Sequence, residues 1–146
     1  MKAQLPRFLV AVVVVASTTY AQANAPAGRY TTAGGTVYDT KTKLTWQQTV
    51  ASGTYTWAGA KTYCAGLNLG GTGWRIPTVK ELQTIVDDSQ ANPSIDTTAF
   101  LSTPVDWFWS SSPLAGSSSF AWGVDFTYGV TSYNGVSDYH DVRCVR

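Results

Sequence analysis

The sequence predicts an α+β domain in which two helices are followed by an antiparallel meander. Three observations lead to this class. Apolar residues recur at three- and four-residue spacing between Trp57 and Leu67, a capping-box pattern begins at Thr78, and apolar and polar residues alternate in the strands expected after Trp107. A chain of 146 residues suits one such domain with a sizeable core.

The first expected elements are short strands. Residues 24–34 are small and polar, which indicates a flexible lead-in with one short strand near Arg29 to Thr31. The β-prone stretches 36–39 and 44–47 flank the polar turn 40–43. This arrangement predicts a hairpin.

Two helices follow, each with a threonine at its start. Thr56 can cap the first helix, and the Gly-rich run 70–73 ends it. Its expected inward positions are Trp57, Ala60, Cys64 and Leu67. Thr78 and Glu81 form a capping box, so the second helix should begin at Val79. Its expected inward positions are Val79, Leu82, Ile85 and Val86.

The rest of the chain is expected to be β. A strand from Trp107 to Trp109 should end in the turn residues 110–113, and the residues from Phe120 to Phe126 alternate as in a half-buried strand. Tyr128-Gly129 and Asn134-Gly135 are turn signals. The last strand should run from 141 to 146, with Val142 and Cys144 on the same face.

The amino terminus indicates export. Residues 1–23 combine Lys2 and Arg7 with a short apolar run and the small-residue pattern Ala21-Gln22-Ala23, as in a cleaved signal peptide. An uncleaved anchor is the alternative. No other apolar stretch is long enough to span a bilayer, so the mature chain is expected to be secreted, periplasmic or on the cell surface.

The charge balance argues against nucleic acid as a partner. Loss of Lys2 and Arg7 with the leader takes the net charge from +1 to −1, and the remaining basic residues are scattered. Binding to phosphate backbones normally requires clustered Lys and Arg.

The only two cysteines are Cys64 and Cys144. An even count in an exported chain favours one long-range disulfide, which would close a loop of about 80 residues. An intermolecular bridge or two free thiols are the alternatives.

Four motifs in order resemble the Lcl C-terminal domain family, named for a collagen-like bacterial adhesin. They are Gly73-Trp74-Arg75-Ile76-Pro77-Thr78-Val79-Lys80-Glu81-Leu82, Trp109-Ser110-Ser111-Ser112-Pro113, Trp122-Gly123-Val124-Asp125-Phe126 and Val142-Arg143-Cys144-Val145-Arg146. The resemblance covers residues 35–146. It implies a C-type-lectin-like fold, in which a disulfide joins the first helix to the last strand, and it also extends to the formylglycine-generating enzymes.

Several residues of these motifs have a structural interpretation. Arg75 and Glu81 are expected to pair with each other or with backbone, beside Pro77. Trp74, Trp109 and Trp122 could stack on sugars, but they are expected in the core.

The candidate ligand contacts lie in the polar, aromatic-rich loops between 87 and 134, a composition suited to adaptable recognition. They are Trp107, Asp125, Tyr128, Tyr133 and Asn134. A bound calcium ion is possible, because the acid pairs Asp87 with Asp88 and Asp138 with Asp141 could supply oxygen ligands. The sugar-binding tripeptides of calcium-dependent lectins are missing, however. No other cofactor is indicated.

Catalysis has weaker support. His140 is expected at the surface. A Ser-His-Asp arrangement could be imagined from the serines 110–112, His140 and Asp141, but no nucleophile-elbow pattern such as Gly-x-Ser-x-Gly frames the serines. Formylglycine generation relies on reactive cysteines, and both cysteines are assigned to the bridge. The leading hypothesis is therefore a non-catalytic recognition or adhesion domain that binds an extracellular glycan or protein. An enzyme of the formylglycine-generating branch and a ligand-free structural module, with homo-oligomers as in some relatives, are the alternatives.

Overall fold

A computed structural model of the chain describes residues 25–146. The expected signal peptide, residues 1–23, lies outside the described residues. The elements are β1 (Tyr30–Ala33), β2 (Thr36–Asp39), β3 (Thr45–Gln47), α1 (Trp57–Gly66), α2 (Val79–Gln83), β4 (Trp107–Pro113), β5 (Phe120–Asp125) and β6 (Val130–Gly135). Two helices with antiparallel sheets confirm the predicted α+β class.

The first sheet has the order β1-β2-β3, with both pairs antiparallel. The predicted hairpin between β2 and β3 is present, and Lys43 adopts a φ of 65° in its turn. Strand β1 pairs along β2, and the Tyr30 ring packs edge-on against Phe100, 4.9 Å between centroids. The lead-in therefore contributes to the sheet and to the core from Tyr30 onward.

Both helices begin where the sequence predicts. The Thr56 hydroxyl accepts a hydrogen bond from the Gly59 N–H at the start of α1. At the start of α2, Thr78 and Glu81 form the complete capping box. Helix α2 is shorter than expected, because regular helix ends at Gln83, but Ile85 in the turn that follows is still buried.

The second sheet has the order β4-β5-β6. The predicted turn at 110–113 is wrong, since β4 continues through these residues with a register shift against β5. The serines bond to distant segments: the Ser110 hydroxyl donates to the Trp122 carbonyl, and the Ser111 N–H donates to the Pro77 carbonyl. Residues 134 and 135 end β6, and a turn follows at once, since the Asp138 N–H donates to the Gly135 carbonyl.

The C-terminal segment is extended but pairs only through isolated bridges, including Val145 with Trp46 and with Arg75. It separates two hydrophobic cores. Val142 and Cys144 share one core, as predicted, and Val145 lies in the other. Every residue from 141 to 145 is buried, so this segment passes through the middle of the domain.

No helix among residues 25–146 is long and apolar enough to cross a membrane.

Candidate ligand-binding face

The disulfide predicted from the sequence is present between Cys64 and Cys144, with 5.4 Å between their Cα atoms. Cys64 lies on the buried side of α1, and Cys144 lies in the C-terminal segment. The bond therefore fixes the first helix to the end of the chain.

Arg75 and Glu81 form the ion pair that the sequence predicts, with N–O distances of 2.8 and 2.6 Å. The guanidinium of Arg75, together with the hydrogen bonds from Thr78, lowers the pKa of Glu81 to about 2. Pro77 between them is buried. This motif orients the start of α2, and it is structural.

The three motif tryptophans differ in burial. Trp74 and Trp109 are buried in the same core, as predicted. Trp122 is only partly buried and belongs to neither core, so its predicted core position is wrong. Along this side of β5, burial increases from the exposed Phe120 through Trp122 to the buried Val124.

Trp122, Phe120 and Tyr133 form a cluster that we call the aromatic face. The Tyr133 ring packs edge-on against both of the others, with centroids 5.6 Å from Phe120 and 5.7 Å from Trp122. Phe120 is 39% exposed and Tyr133 is 48% exposed. A cluster of large rings this open to solvent is a feature of binding surfaces.

The register of the sheet explains this cluster. Trp122 lies directly opposite Tyr133 on the neighbouring strand, and Phe120 is two residues from Trp122, so all three side chains lie on one side of the sheet. Val124, two residues further along, lies on the same side but is fully buried with Leu82 of α2. Helix α2 thus covers one end of this side and leaves the other end open.

A polar border adjoins the aromatic face on the side of α2. The Gln83 side-chain amide donates to the Thr131 hydroxyl at 2.9 Å. Thr131 is two residues from Tyr133 and therefore lies on the same side of the sheet. These groups are exposed enough to exchange this bond for one to a ligand.

The structure separates the five ligand residues predicted from sequence. Only Tyr133 belongs to the aromatic face. Trp107 pairs with Asp125, and Asn134 pairs with Ala121, all on the opposite side of the sheet. Tyr128 is highly exposed in the turn between β5 and β6. Phe120 and Trp122, the other members of the aromatic face, were not among the five predicted residues, although their i, i+2 spacing was a usable signal.

His140 is partly buried, which differs from the exposed position that the sequence suggested. Its ring packs against Trp109 with 4.7 Å between centroids, and burial lowers its pKa. Burial raises the pKa of the neighbouring Asp141 to about 6, and Asp106 adds to this effect. The Ser110 hydroxyl donates to the Trp122 carbonyl, and the Ser112 hydroxyl accepts from the Val79 N–H, so both serines are engaged away from His140.

The carboxylates considered for calcium are engaged locally. Asp138 accepts from the Gly135 N–H, and Asp87 accepts from the Ser89 N–H and hydroxyl. In the part of the chain that the structure describes, no three His, Cys, Asp or Glu residues are grouped as metal ligands.

The architecture is that of a small disulfide-bonded α+β domain, of the kind found outside the reducing cytoplasm. A family model, the Lcl C-terminal domain, matches residues 35–146, and the chain belongs to this family. Family and disulfide are both consistent with an extracellular location. No curated protein sequence matches the chain.

Proposed function

We propose that this chain is an extracellular recognition domain that binds a carbohydrate chain through the aromatic face. The observation that carries the proposal is the exposed cluster of Phe120, Trp122 and Tyr133. Its rings are held by one another and by the sheet, so little side-chain entropy is lost when a ligand binds.

Carbohydrate fits this surface for chemical reasons. The C–H groups on one side of a pyranose ring are apolar and pack against aromatic rings, while its hydroxyls need hydrogen-bond partners. The Tyr133 hydroxyl, Gln83 and Thr131 can provide those partners at the edge of the rings. No basic residue belongs to the cluster or to this border, which favours a neutral sugar chain over a sulfated one.

We also propose that the domain has a C-type-lectin-like fold and acts without catalysis or a resident cofactor. The link from the first helix to the C-terminal segment supports the fold. The formylglycine-generating reaction would need thiols, and both cysteines are in the disulfide. The family and the disulfide support a secreted, periplasmic or surface location.

A glycan array followed by calorimetry with the best ligand tests the proposal. Trp122→Ala and Tyr133→Ala should each weaken binding about tenfold or more, as expected for aromatic anchors. Tyr133→Phe keeps the ring and separates stacking from hydrogen bonding by the hydroxyl. Tyr139→Ala is the matched control, since Tyr139 is an exposed tyrosine outside the cluster.

Binding that is unchanged in both alanine variants would refute the aromatic face as the site. No binding to any neutral glycan would refute the ligand class. A folded state equal to that of the wild type, checked by circular dichroism, is required for each variant.

A further inference from the structure

We propose that two copies of this chain pair through the outer edges of their β6 strands, which joins two β4-β5-β6 sheets into one. Strands β4 and β6 form the margins of this sheet. The outer side of β4 is occupied, because the Trp109 N–H donates to the Asp141 carbonyl and the Asp141 N–H donates to the Trp107 carbonyl. Within residues 25–146, no strand pairs with the outer side of β6.

The register identifies which backbone groups of β6 point outward. Just beyond β6, the Val136 N–H donates to the Ser119 carbonyl at 3.0 Å. In an antiparallel pair, residues bonded to the neighbouring strand alternate with residues that are not. Ser132 and Asn134 therefore direct their backbone groups toward β5, and Thr131 and Tyr133 direct theirs outward.

Gly135 provides an independent check of this alternation. It is the next residue in the outward set, and both of its backbone groups bond to Asp138 instead of β5. The Gly135 N–H donates to the Asp138 carboxylate at 2.9 Å, and the Gly135 carbonyl accepts from the Asp138 N–H at 2.8 Å. Asp138 thus closes this end of the edge and leaves the groups of Thr131 and Tyr133 open.

The open groups are self-complementary. If a twofold axis passes beside Ser132, Thr131 of one copy lies opposite Tyr133 of the second copy. Each such pair can exchange both N–H to carbonyl bonds, so the two pairs form four backbone hydrogen bonds. The two Ser132 residues then face each other across the axis.

The composition of β6 favours a second copy as the partner. Charged residues, prolines and bulges on an edge strand usually prevent it from pairing with another chain. The strand Val130–Gly135 has no charged residue, no proline and no register shift against β5. Self-pairing brings no like charges together. Since each copy uses its one open β6 edge, the assembly closes as a dimer.

This pairing would also place the aromatic faces of the two copies on the same side of one sheet, because Thr131 and Tyr133 share that side. One extended ligand could then contact both faces, which raises its apparent affinity. The dimer itself does not depend on the proposed carbohydrate function, and its test uses no ligand.

A cysteine at the axis tests the register. The variant Ser132→Cys should form an intermolecular disulfide under mild oxidation, because residues facing each other at a non-hydrogen-bonded position are close enough to bridge. Thr131→Cys is the matched control, since that residue faces Tyr133 and not itself. Thr32→Cys, exposed on β1, controls for random collision between surface thiols.

Sedimentation equilibrium of the oxidised mature protein provides the second measurement. Thr131→Pro removes two of the four intermolecular bonds and should raise the dimer dissociation constant about tenfold or more. If this variant does not fold, Ser132→Glu places like charges at the axis and should have the same effect. A wild type that stays monomeric, a dimer without a Ser132→Cys crosslink, or equal crosslinking in all three cysteine variants would overturn the proposal.

Discussion

Cys144 and Val145 are consecutive residues, yet their side chains lie in two different hydrophobic cores. The Cys144 side chain bonds to α1, and Val145 packs with Trp46 and Phe100 in the other core. Alternation along an extended segment produces this arrangement, because successive side chains point to opposite sides. The last residues of the chain therefore hold the two halves of the domain together.

Arg143, in the same C-terminal segment, also joins distant parts of the chain, and its replacement should strongly lower the stability of the domain. Its guanidinium is fully buried and donates to the Gln47 and Gln48 carbonyls and to the Thr103 hydroxyl. Arg143→Ala leaves these acceptors without donors, so we expect the free energy of unfolding to fall by about 3 kcal/mol or more. Urea denaturation measures this loss.

Arg143→Lys is the control for charge alone. Because an ammonium group cannot reproduce the planar fork of donors, this variant should also be destabilised, though less than Arg143→Ala. Stability equal to that of the wild type in both variants would contradict the role we assign to Arg143.

The pKa of Asp141 predicts a pH dependence. Burial raises this pKa from 3.8 to about 6 in the folded state. A carboxyl with a raised folded pKa contributes stability below its unfolded pKa, and that contribution is lost as the pH rises through the folded value. We therefore expect Asp141→Asn to gain stability relative to the wild type between pH 4 and pH 7, with the change centred between the two pKa values.

Thermal unfolding of both proteins across this pH range measures the difference. His140 and Asp106 are present in both proteins, so the comparison isolates the carboxyl of Asp141. A difference in stability that does not change with pH would show that Asp141 titrates normally.

Glu81 predicts a pH dependence of the opposite sign. Its pKa falls from 4.5 to about 2 because of Arg75 and Thr78. The stability that it contributes is present above about pH 4.5 and is lost as the pH falls toward 2. Since the pair is partly exposed, we expect Glu81→Gln, which can still accept the capping hydrogen bond, to cost only about 0.5–1 kcal/mol at pH 7.

Glu81→Ala removes both the ion pair and the capping box, so it should cost about 1–2 kcal/mol. Urea denaturation at pH 7 and pH 3 separates the two contributions. If Glu81→Gln lost as much stability as Glu81→Ala, the capping hydrogen bond would contribute nothing.

Local signals explain what could be predicted from the sequence. The capping box at Thr78, the hairpin after Asp39 and the disulfide between Cys64 and Cys144 each depend on few residues with strong preferences. All three are confirmed. The serines 110–112 were placed in a turn because turn preference is local, whereas their strand is stabilised by Pro77 and Trp122, which lie elsewhere in the sequence.

The candidate site was harder to predict for a different physical reason. Spacing shows that Phe120, Trp122 and Val124 share one side of a strand, but it does not show which part of that side a helix covers. The covering of Val124 by α2 is a tertiary contact. Periodicity alone therefore assigned Trp122 to the core.

The disulfide should contribute a large part of the stability of the domain. It spans 80 residues and joins α1 to the C-terminal segment between the cores. Removal of such a bond from a small domain costs about 2–5 kcal/mol. The paired variant Cys64→Ala with Cys144→Ala should lower the unfolding midpoint in urea accordingly, and dithiothreitol should then have no further effect on it.

The wild type is the control, because dithiothreitol should lower its midpoint toward that of the variant. The unfolded, unreduced wild type should show no reactive thiol in a thiol titration, and the same sample after reduction should show two. Reactive thiols before reduction would contradict the bond and would restore thiol chemistry as a candidate function. If the folded paired variant keeps its ligand affinity, then the disulfide supports the aromatic face only through the stability of the domain.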